Sequence, residues 1–343
     1  MRYRPFANTG LFVSELCLGT MTFGGKGFWT AIGKLSAAEA EAMIGTALDA
    51  GVNFIDTADG YSEGESEKLV GAALASLARP RDQVIVATKV HLRMEPGANQ
   101  VGLSRGHIFA AIDASLQRLK LDYVDLYQIH AYDLDTPIEE TVRALDDVVH
   151  SGKVRYVGFC NLPAWVAMKG LAYADAHDRA RFQSAQMYYT LANREIEREV
   201  VPLCVDQRLA ILPWSPLAGG LLSGKFDLDK PGPAGARRST FDFPPIDRPR
   251  VQRVIDALRE VSQATGVSVP RIALAWLLTR PFVTSVIIGA KTPEQLADNL
   301  GASEVTLDAE HVVRLDEASA IPPEYPGWMV ERQNENRRPN KTA

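Results

Sequence analysis

The sequence predicts an α/β fold in which eight parallel strands and their helices close into one (β/α)8 TIM-type barrel. An N-terminal β-hairpin precedes it, with extra helices after strand seven and at the C-terminus. Three observations carry the prediction. Eight short apolar runs, from Glu15–Gly19 to Thr284–Ile288, alternate with stretches of helical periodicity. Most of these runs are apolar at successive positions, as expected of strands covered on both faces. Residues 1–330 contain no linker-like composition shift, so they are expected to form one domain, with 331–343 as a polar, mobile tail. Eight such units favour a closed barrel over an open sheet.

The elements follow in order. Tyr3 to Val13 reads as a hairpin turning at Asn8-Thr9-Gly10. The first barrel strand ends in Gly19-Thr20-Met21, followed by a glycine-rich loop, Gly24 to Gly27. Ser36 then caps a helix whose apolar face is Ala40, Met43, Ile44, Ala47 and Leu48, with Gly51 as its stop. Strand two, Val52 to Ile55, breaks at Asp56, and Glu67 to Leu77 is the next helix. Val84 to Lys89, Val124 to His130 and Val154 to Phe159 are strands three to five, spaced by helices at Ser104–Leu119 and Ile138–His150. Ala164–His177, the strand Ser184–Tyr188, Val200–Gln207 and the strand Leu209–Trp214 continue the alternation. A Gly/Pro/Arg-rich loop, Gly219 to Pro249, leads to helices at Val251–Thr265 and Pro270–Leu278, then strand eight. Pro293–Leu300 and Asp308–Ala318 are the last predicted helices.

Composition narrows the function classes. The formal net charge of −5 argues against a nucleic-acid or anionic-membrane partner. Met1-Arg2-Tyr3-Arg4-Pro5 is not followed by an apolar signal region, and Ile272–Leu278 is too short to span a bilayer. The 3 cysteines lack metal or redox spacing and read as buried thiols of a cytoplasmic protein. The 6 histidines are scattered, so no metal site is expected.

The candidate chemistry lies at consecutive strand tips. Asp56 ends strand two, Lys89 strand three and His130 strand four, with Tyr61 in the loop after strand two. At the C-terminal face of a parallel barrel such tips converge. A phenol is a weak acid, with a pKa of about 10. A lysine ammonium is expected to lower that value, and a carboxylate to hold the lysine. His130 would hydrogen-bond a substrate oxygen or share the proton transfer. Such a set suits protonation of an oxygen as charge builds on it, as when a carbonyl accepts hydride. Singly, each residue has a plainer reading: Lys89 a solvated charge, His130 a structural imidazole, Asp56 a turn cap. Their joint placement decides against coincidence.

No G-x-G-x-x-G opens a βαβ unit, which excludes a Rossmann-type dinucleotide site. Asn161 and Gln186 offer amides suited to a carboxamide, and Trp214 a flat face for a heteroaromatic ring. Ser215-Pro216-Leu217-Ala218-Gly219-Gly220 offers backbone donors for a pyrophosphate, followed by Lys225 and the pair Arg237-Arg238. Lys291, after Gly289, stands near a helix start, where an anion sits well.

Through these residues the sequence resembles the aldo-keto reductase superfamily, from about Tyr3 to Ile321. The motifs are Asn53 to Tyr61, Ala87-Thr88-Lys89, Asp125 to His130, Trp214 to Lys225 and Ile288 to Leu296. It is most similar to the group containing the voltage-gated potassium-channel β-subunits and their bacterial relatives, which often form oligomers. The resemblance implies NADPH-dependent reduction of an aldehyde or ketone, with Tyr61 as general acid assisted by Lys89 and Asp56, and His130 orienting the carbonyl. It further implies that Gly19, Thr20, Met21, Asp56, Cys160, Asn161, Gln186 and Trp214 surround the nicotinamide. Ser215, Pro216, Leu217, Gly219, Lys225 and one of Arg237 or Arg238 would follow the phosphates. Gly289, Gln295, Asp298 and Asn299 would meet the adenine end, and Lys291 the 2′-phosphate. Two departures stand out: Cys160 replaces the serine of many relatives before Asn161, and Lys291 replaces serine or arginine. A lysine can pair with a 2′-phosphate only as a point charge.

Three other readings share the pattern: a redox-sensing NADP(H)-binding subunit of a membrane protein, an alcohol or sugar dehydrogenase working in the oxidative direction, and a barrel lyase or isomerase acting on a phosphorylated substrate. Phe23, Phe28, Trp29, His91, Tyr132, Tyr189 and Phe241 are expected at the rim, which would suit an aromatic aldehyde or a bulky cyclic ketone.

Overall fold

The chain opens with an antiparallel hairpin, β1 (Tyr3–Pro5) and β2 (Phe12–Ser14), and then lays down eight parallel strands in neighbour order. These are β3 (Leu16–Gly19), β4 (Phe54–Asp56), β5 (Ile85–Val90), β6 (Val124–Ile129), β7 (Val154–Cys160), β8 (Phe182–Tyr188), β9 (Ala210–Trp214) and β10 (Val286–Ile288). β10 pairs with β3, and a bridge between Ile211 and Val283 joins the β9 side, where the Thr284 N–H donates to the Ile211 carbonyl at 2.9 Å. The sheet therefore closes on itself as a barrel. The computed structural model describes residues 1–228, 238, 241–335 and 337.

Helices α1 (Ala37–Asp49), α2 (Glu65–Leu77), α3 (Arg105–Leu119), α4 (Ile138–His150), α5 (Ala164–Ala176) and α6 (Val200–Gln207) each return the chain to the next strand. α7 (Arg248–Thr265) and α8 (Val269–Leu278) lie between β9 and β10; α9 (Pro293–Leu300), α10 (Ala309–Ser319) and α11 (Gly327–Asn334) follow. Local chemistry sets their starts. Ser36 and Glu39 form a reciprocal capping box on α1, while Ser104, Asp247, Ser268 and Thr292 cap α3, α7, α8 and α9 with their side chains.

Differences from the expected map cluster in loops. Ala218–Ser223 and Gly27–Ala31, expected as loop, are short 3-10 turns, and α7 starts three residues before the expected Val251. The expected boundary at residue 330 falls inside α11, so Glu331 to Asn334 are helical.

Apolar residues fill two layers. The larger cluster lies between strands and helices, where Val86, Tyr127, Val157 and Ile211 meet Ile44, Ile112, Leu145 and Leu171. The smaller fills the barrel interior and joins Cys17, Phe54, Ile85, Ala87, Leu126, Ala210, Leu212 and Ile287 to Phe6 and Val13 of the hairpin. The Phe6 ring meets Phe54 edge-on at 6.1 Å and plugs the N-terminal end. The interior is tight: a Cβ on Gly158 would lie 2.2 Å from the Ser184 hydroxyl. Side chains alternate along a strand, so the next inward position after each of these points toward the open end.

Candidate active site

Two residues beyond the apolar layer, the inward positions become polar. Asp56 follows Phe54, Lys89 follows Ala87, Gln128 follows Leu126, and Trp214 follows Leu212. Lys89 is fully buried, and three hydrogen bonds employ its ammonium: to Asp56 Oδ2 at 2.6 Å, to the Thr57 carbonyl at 2.8 Å and to Tyr61 Oη at 3.2 Å. The other Asp56 oxygen accepts from Gln186 Nε2 at 2.8 Å and Gln128 Nε2 at 3.2 Å. A buried ion pair survives only when its remaining lone pairs and protons are met, and here they are.

Tyr61 is carried on a tight turn in which Ser62 and Glu63 both adopt the left-handed region, at φ 51° and 56°. Ser62 anchors that turn, donating to the Phe23 carbonyl at 2.8 Å and accepting the Gly25 N–H at 2.9 Å. Strained non-glycine residues of this kind persist only where surroundings over-determine them.

The electrostatics correct one expectation. Burial pushes the Tyr61 phenol up to about 12; Lys89 pulls it down, but not far enough. Tyr61 is therefore a neutral, protonated phenol at physiological pH. Burial lowers the Lys89 value, yet Asp56 and Tyr61 raise it further, so the ammonium stays charged. His130 is held neutral, well below its usual range, by burial first and by Lys89 second. Its ring lies 5.7 Å from that of Tyr61, and its Nδ1 has no partner. Burial also pushes the Cys160 thiol up, so it carries no charge.

Asp56, Tyr61 and His130 border a cleft of about 1020 Å³ at the C-terminal end of the barrel, and Lys89 is buried beneath its lining. Its lining includes Gly19, Thr20, Met21, Asp56, Tyr61, His130, Asn161, Gln186 and Trp214. Ser215, Pro216, Leu217, Gly219 and Lys225 line it as well, as do Gly289, Lys291, Gln295, Asp298 and Asn299. Asn161 donates to the His130 carbonyl at 3.1 Å and accepts the Trp214 indole N–H at 3.0 Å, which fixes both rims. Gly219, at φ 66°, passes so close to the Phe243 carbonyl that a Cβ would lie 2.8 Å from it. The missing side chain lets this turn pack against the Phe243 backbone. Residues of these chemistries, around a cleft of this volume, fit an adenine dinucleotide: amides and a flat ring, a stretch of backbone with a lysine, and the α9 start with Lys291.

Several expected residues sit elsewhere. Cys160 is fully buried and does not line the cleft. Arg238 is buried and donates to the Ala218 carbonyl at 3.1 Å and the Pro244 carbonyl at 2.7 Å, beside Asp242; it shapes the loop and does not line the cleft. Arg237 lies outside the described residues. Of the expected rim, Phe28, Trp29 and Phe241 line the cleft; Phe23 and Tyr189 are core residues, and His91 and Tyr132 do not border it. Gln128, Leu92 and Phe243 went unforeseen. Gln128 had a legible signal, an amide inside an apolar strand at the same parity as His130.

The chain matches the model of the Aldo/keto reductase family over residues 15–320. It belongs to that family. Among relatives of this family member is the uncharacterized oxidoreductase YrpG of Bacillus subtilis (strain 168), at 35% identity, covering 96% of this chain and 100% of the relative. Versiconal hemiacetal acetate reductase of Aspergillus parasiticus is 34% identical, covering 95% and 99%. A probable voltage-gated potassium channel subunit beta of Oryza sativa subsp. japonica is 35% identical, covering 89% and 92%. The resemblance to channel subunits and bacterial relatives holds, as does the barrel. Among the described residues, no helix is long and apolar enough to cross a membrane.

Proposed function

We propose that this aldo/keto reductase family member reduces the carbonyl of an aldehyde or ketone, with NADPH as hydride source and Tyr61 as proton donor. One observation carries the reading: the buried Lys89 ammonium bonds Tyr61 and Asp56 together at the mouth of a dinucleotide-sized cleft. A bound reduced nicotinamide supplies the hydride. The protein's own task is to hold the substrate oxygen and deliver a proton to it.

Tyr61 Oη accepts from Lys89, which leaves the phenolic hydrogen for a substrate oxygen in the cleft. As negative charge grows on that oxygen, the proton moves to it and the phenolate left behind is stabilised by the ammonium. The burial that raises the phenol pKa keeps the proton in place until it is required. Neutral His130, facing Tyr61, would donate a hydrogen bond to the same oxygen without adding a charge. Asn161, Gln186 and Trp214 would hold the nicotinamide, the Ser215–Gly220 backbone and Lys225 the pyrophosphate, and Lys291 with the α9 N-terminus the adenosine phosphate. Alcohol oxidation is the same site run backwards.

The rim favours a neutral, flat substrate. Six rings run around the mouth: Trp214 and Phe243 at 6.1 Å, Phe243 and Phe241 at 5.4 Å, Phe241 and Phe28 at 4.8 Å, Phe28 and Trp29 at 5.7 Å, and Trp29 and Tyr61 at 5.3 Å. Apart from Asp56, already held by Lys89, the charged residues of the cleft all lie at or beyond Lys225. An aromatic aldehyde or bulky cyclic ketone suits such a rim better than a keto acid or a sugar phosphate.

The test is Tyr61→Phe. It is expected to lower kcat by about 10²–10⁴ with NADPH binding, followed by fluorescence titration, unchanged. A variant turning over at the parent rate would remove Tyr61 as the donor. The channel-subunit relatives favour a second reading, a nucleotide-binding subunit that reports redox state to a membrane partner. Tight NADPH binding with no turnover across aldehydes, keto-sugars and cyclic ketones would select it.

A further inference from the structure

We infer that Asp59 is a positioning residue: its carboxyl is buried as a neutral acid beneath the Tyr61 turn, and loss of its proton displaces that turn and with it the phenol. The inference rests on the reading of Tyr61 as proton donor.

Asp59 lies two residues before Tyr61 and is fully buried. Its backbone N–H donates to the Lys89 carbonyl at 3.3 Å, and its Oδ1 accepts the Gly60 N–H at 2.6 Å, so the residue joins the turn to the strand that carries the lysine. Oδ2 has no hydrogen-bond partner. Charges reach Asp59 from each packed element: Glu67 on α2, Arg118 on α3 and Lys89 on β5, with the neutral phenol of Tyr127 on β6.

Both cations are already committed. Glu67, also fully buried, accepts from Arg118 Nε at 2.6 Å and from Thr88 Oγ1 at 2.5 Å, and Lys89 is held by Asp56, Thr57 and Tyr61. Ionised, Asp59 would be the third buried carboxylate beside two cations. An unpaired buried charge is costly enough that the group takes a proton instead. Burial first and Glu67 second push Asp59 up to about 8.

The sign follows. At pH 7 Asp59 is protonated and the turn is seated. As pH rises through about 8, the carboxyl gives its proton to solvent and leaves a bare anion facing Glu67. The turn above, with Ser62 and Glu63 held at positive φ, then has a reason to lift away. Tyr61 and Lys89 lie well above that range, and His130 well below.

The experiment measures kcat with NADPH and 4-nitrobenzaldehyde across about pH 6 to 10. The parent is expected to lose turnover with a midpoint near 8. Asp59→Asn, which keeps the shape and cannot ionise, is expected to match the parent at pH 7 and stay flat through the alkaline range. Arg118→Gln, which removes a nearby cation, is expected to move the midpoint to higher pH and supplies the test should the Asn variant fold poorly. A readout independent of turnover is the emission of Trp29, whose ring lies 5.3 Å from that of Tyr61. It should change with the same midpoint in the parent, be pH-invariant in Asp59→Asn, and be lost in Trp29→Phe. An alkaline limb and emission change that persist in Asp59→Asn overturn the inference. Turnover retained by Tyr61→Phe would instead overturn the donor assignment, and the Trp29 titration would still decide the role of Asp59.

Discussion

The two ends of the barrel are made from the same strands and differ by one step of side-chain alternation. At the closed end, Phe54, Ala87, Leu126 and Leu212 pack against Phe6 of the hairpin. Two residues on, about 7 Å along each strand, the inward positions are Asp56, Lys89, Gln128 and Trp214. The closed end is stabilised by removal of apolar surface from water, so it needs only shape. The open end buries a charge pair, which is tolerated only while every member keeps its partners. Hydrogen bonds that satisfy the pair also aim it, so at this end stability and chemistry depend on the same atoms.

The sharpest way to break this contrast is Lys89→Met. It removes the cation from Tyr61 and leaves Asp56 buried with only Gln128 and Gln186 as donors. We expect kcat to fall by at least about 10² and stability to fall by about 3–5 kcal/mol, read from urea midpoints. Adding Asp56→Leu should recover much of the stability and none of the turnover, because a buried pair can be replaced by apolar side chains of similar size. Unchanged stability in the single variant would show that the pair is not the buried element the contrast requires. At the other end, Phe6→Ala should cost about 3–5 kcal/mol, with kcat and NADPH affinity retained while the protein is folded. A fall in kcat under fully folded conditions would mean that the plug and the site are coupled.

The same contrast explains what could be read from the sequence. The closed end and the outer layer were legible because they depend on pattern: apolar runs, the Ser36–Glu39 box and the stop at Gly51. The tips Asp56, Lys89 and His130 were legible because a charge or imidazole ending an apolar run is conspicuous. What failed depended on solvent exclusion or on long-range folding of loops. The Tyr61 phenol was expected to be acidified by Lys89, yet burial, which local sequence does not encode, outweighs the lysine. One of Arg237 and Arg238 was expected on a phosphate; Arg238 instead braces the Ala218 and Pro244 carbonyls, and Arg237 lies outside the described residues. Leu92 and Phe243 reach the cleft from loops with no periodicity to betray them.

The smallest expected effect, and the one that sharpens the contrast most, concerns Lys291, which lines the cleft just before α9. Unlike Lys89, it is exposed, and its backbone N–H is capped by Gln295 Oε1 at 2.9 Å at the start of α9. A solvated lysine interacts with a phosphate through water-screened charge, so its loss should be modest and sensitive to salt. Lys291→Ala is expected to weaken NADPH binding roughly five- to tenfold at low ionic strength, less at high salt, with NADH affinity and kcat unchanged. Equal weakening of NADH would move the lysine from the 2′-phosphate to the pyrophosphate. A change in kcat would mean that charge at this site reaches the chemistry, which solvent and salt screening of an exposed cation argues against.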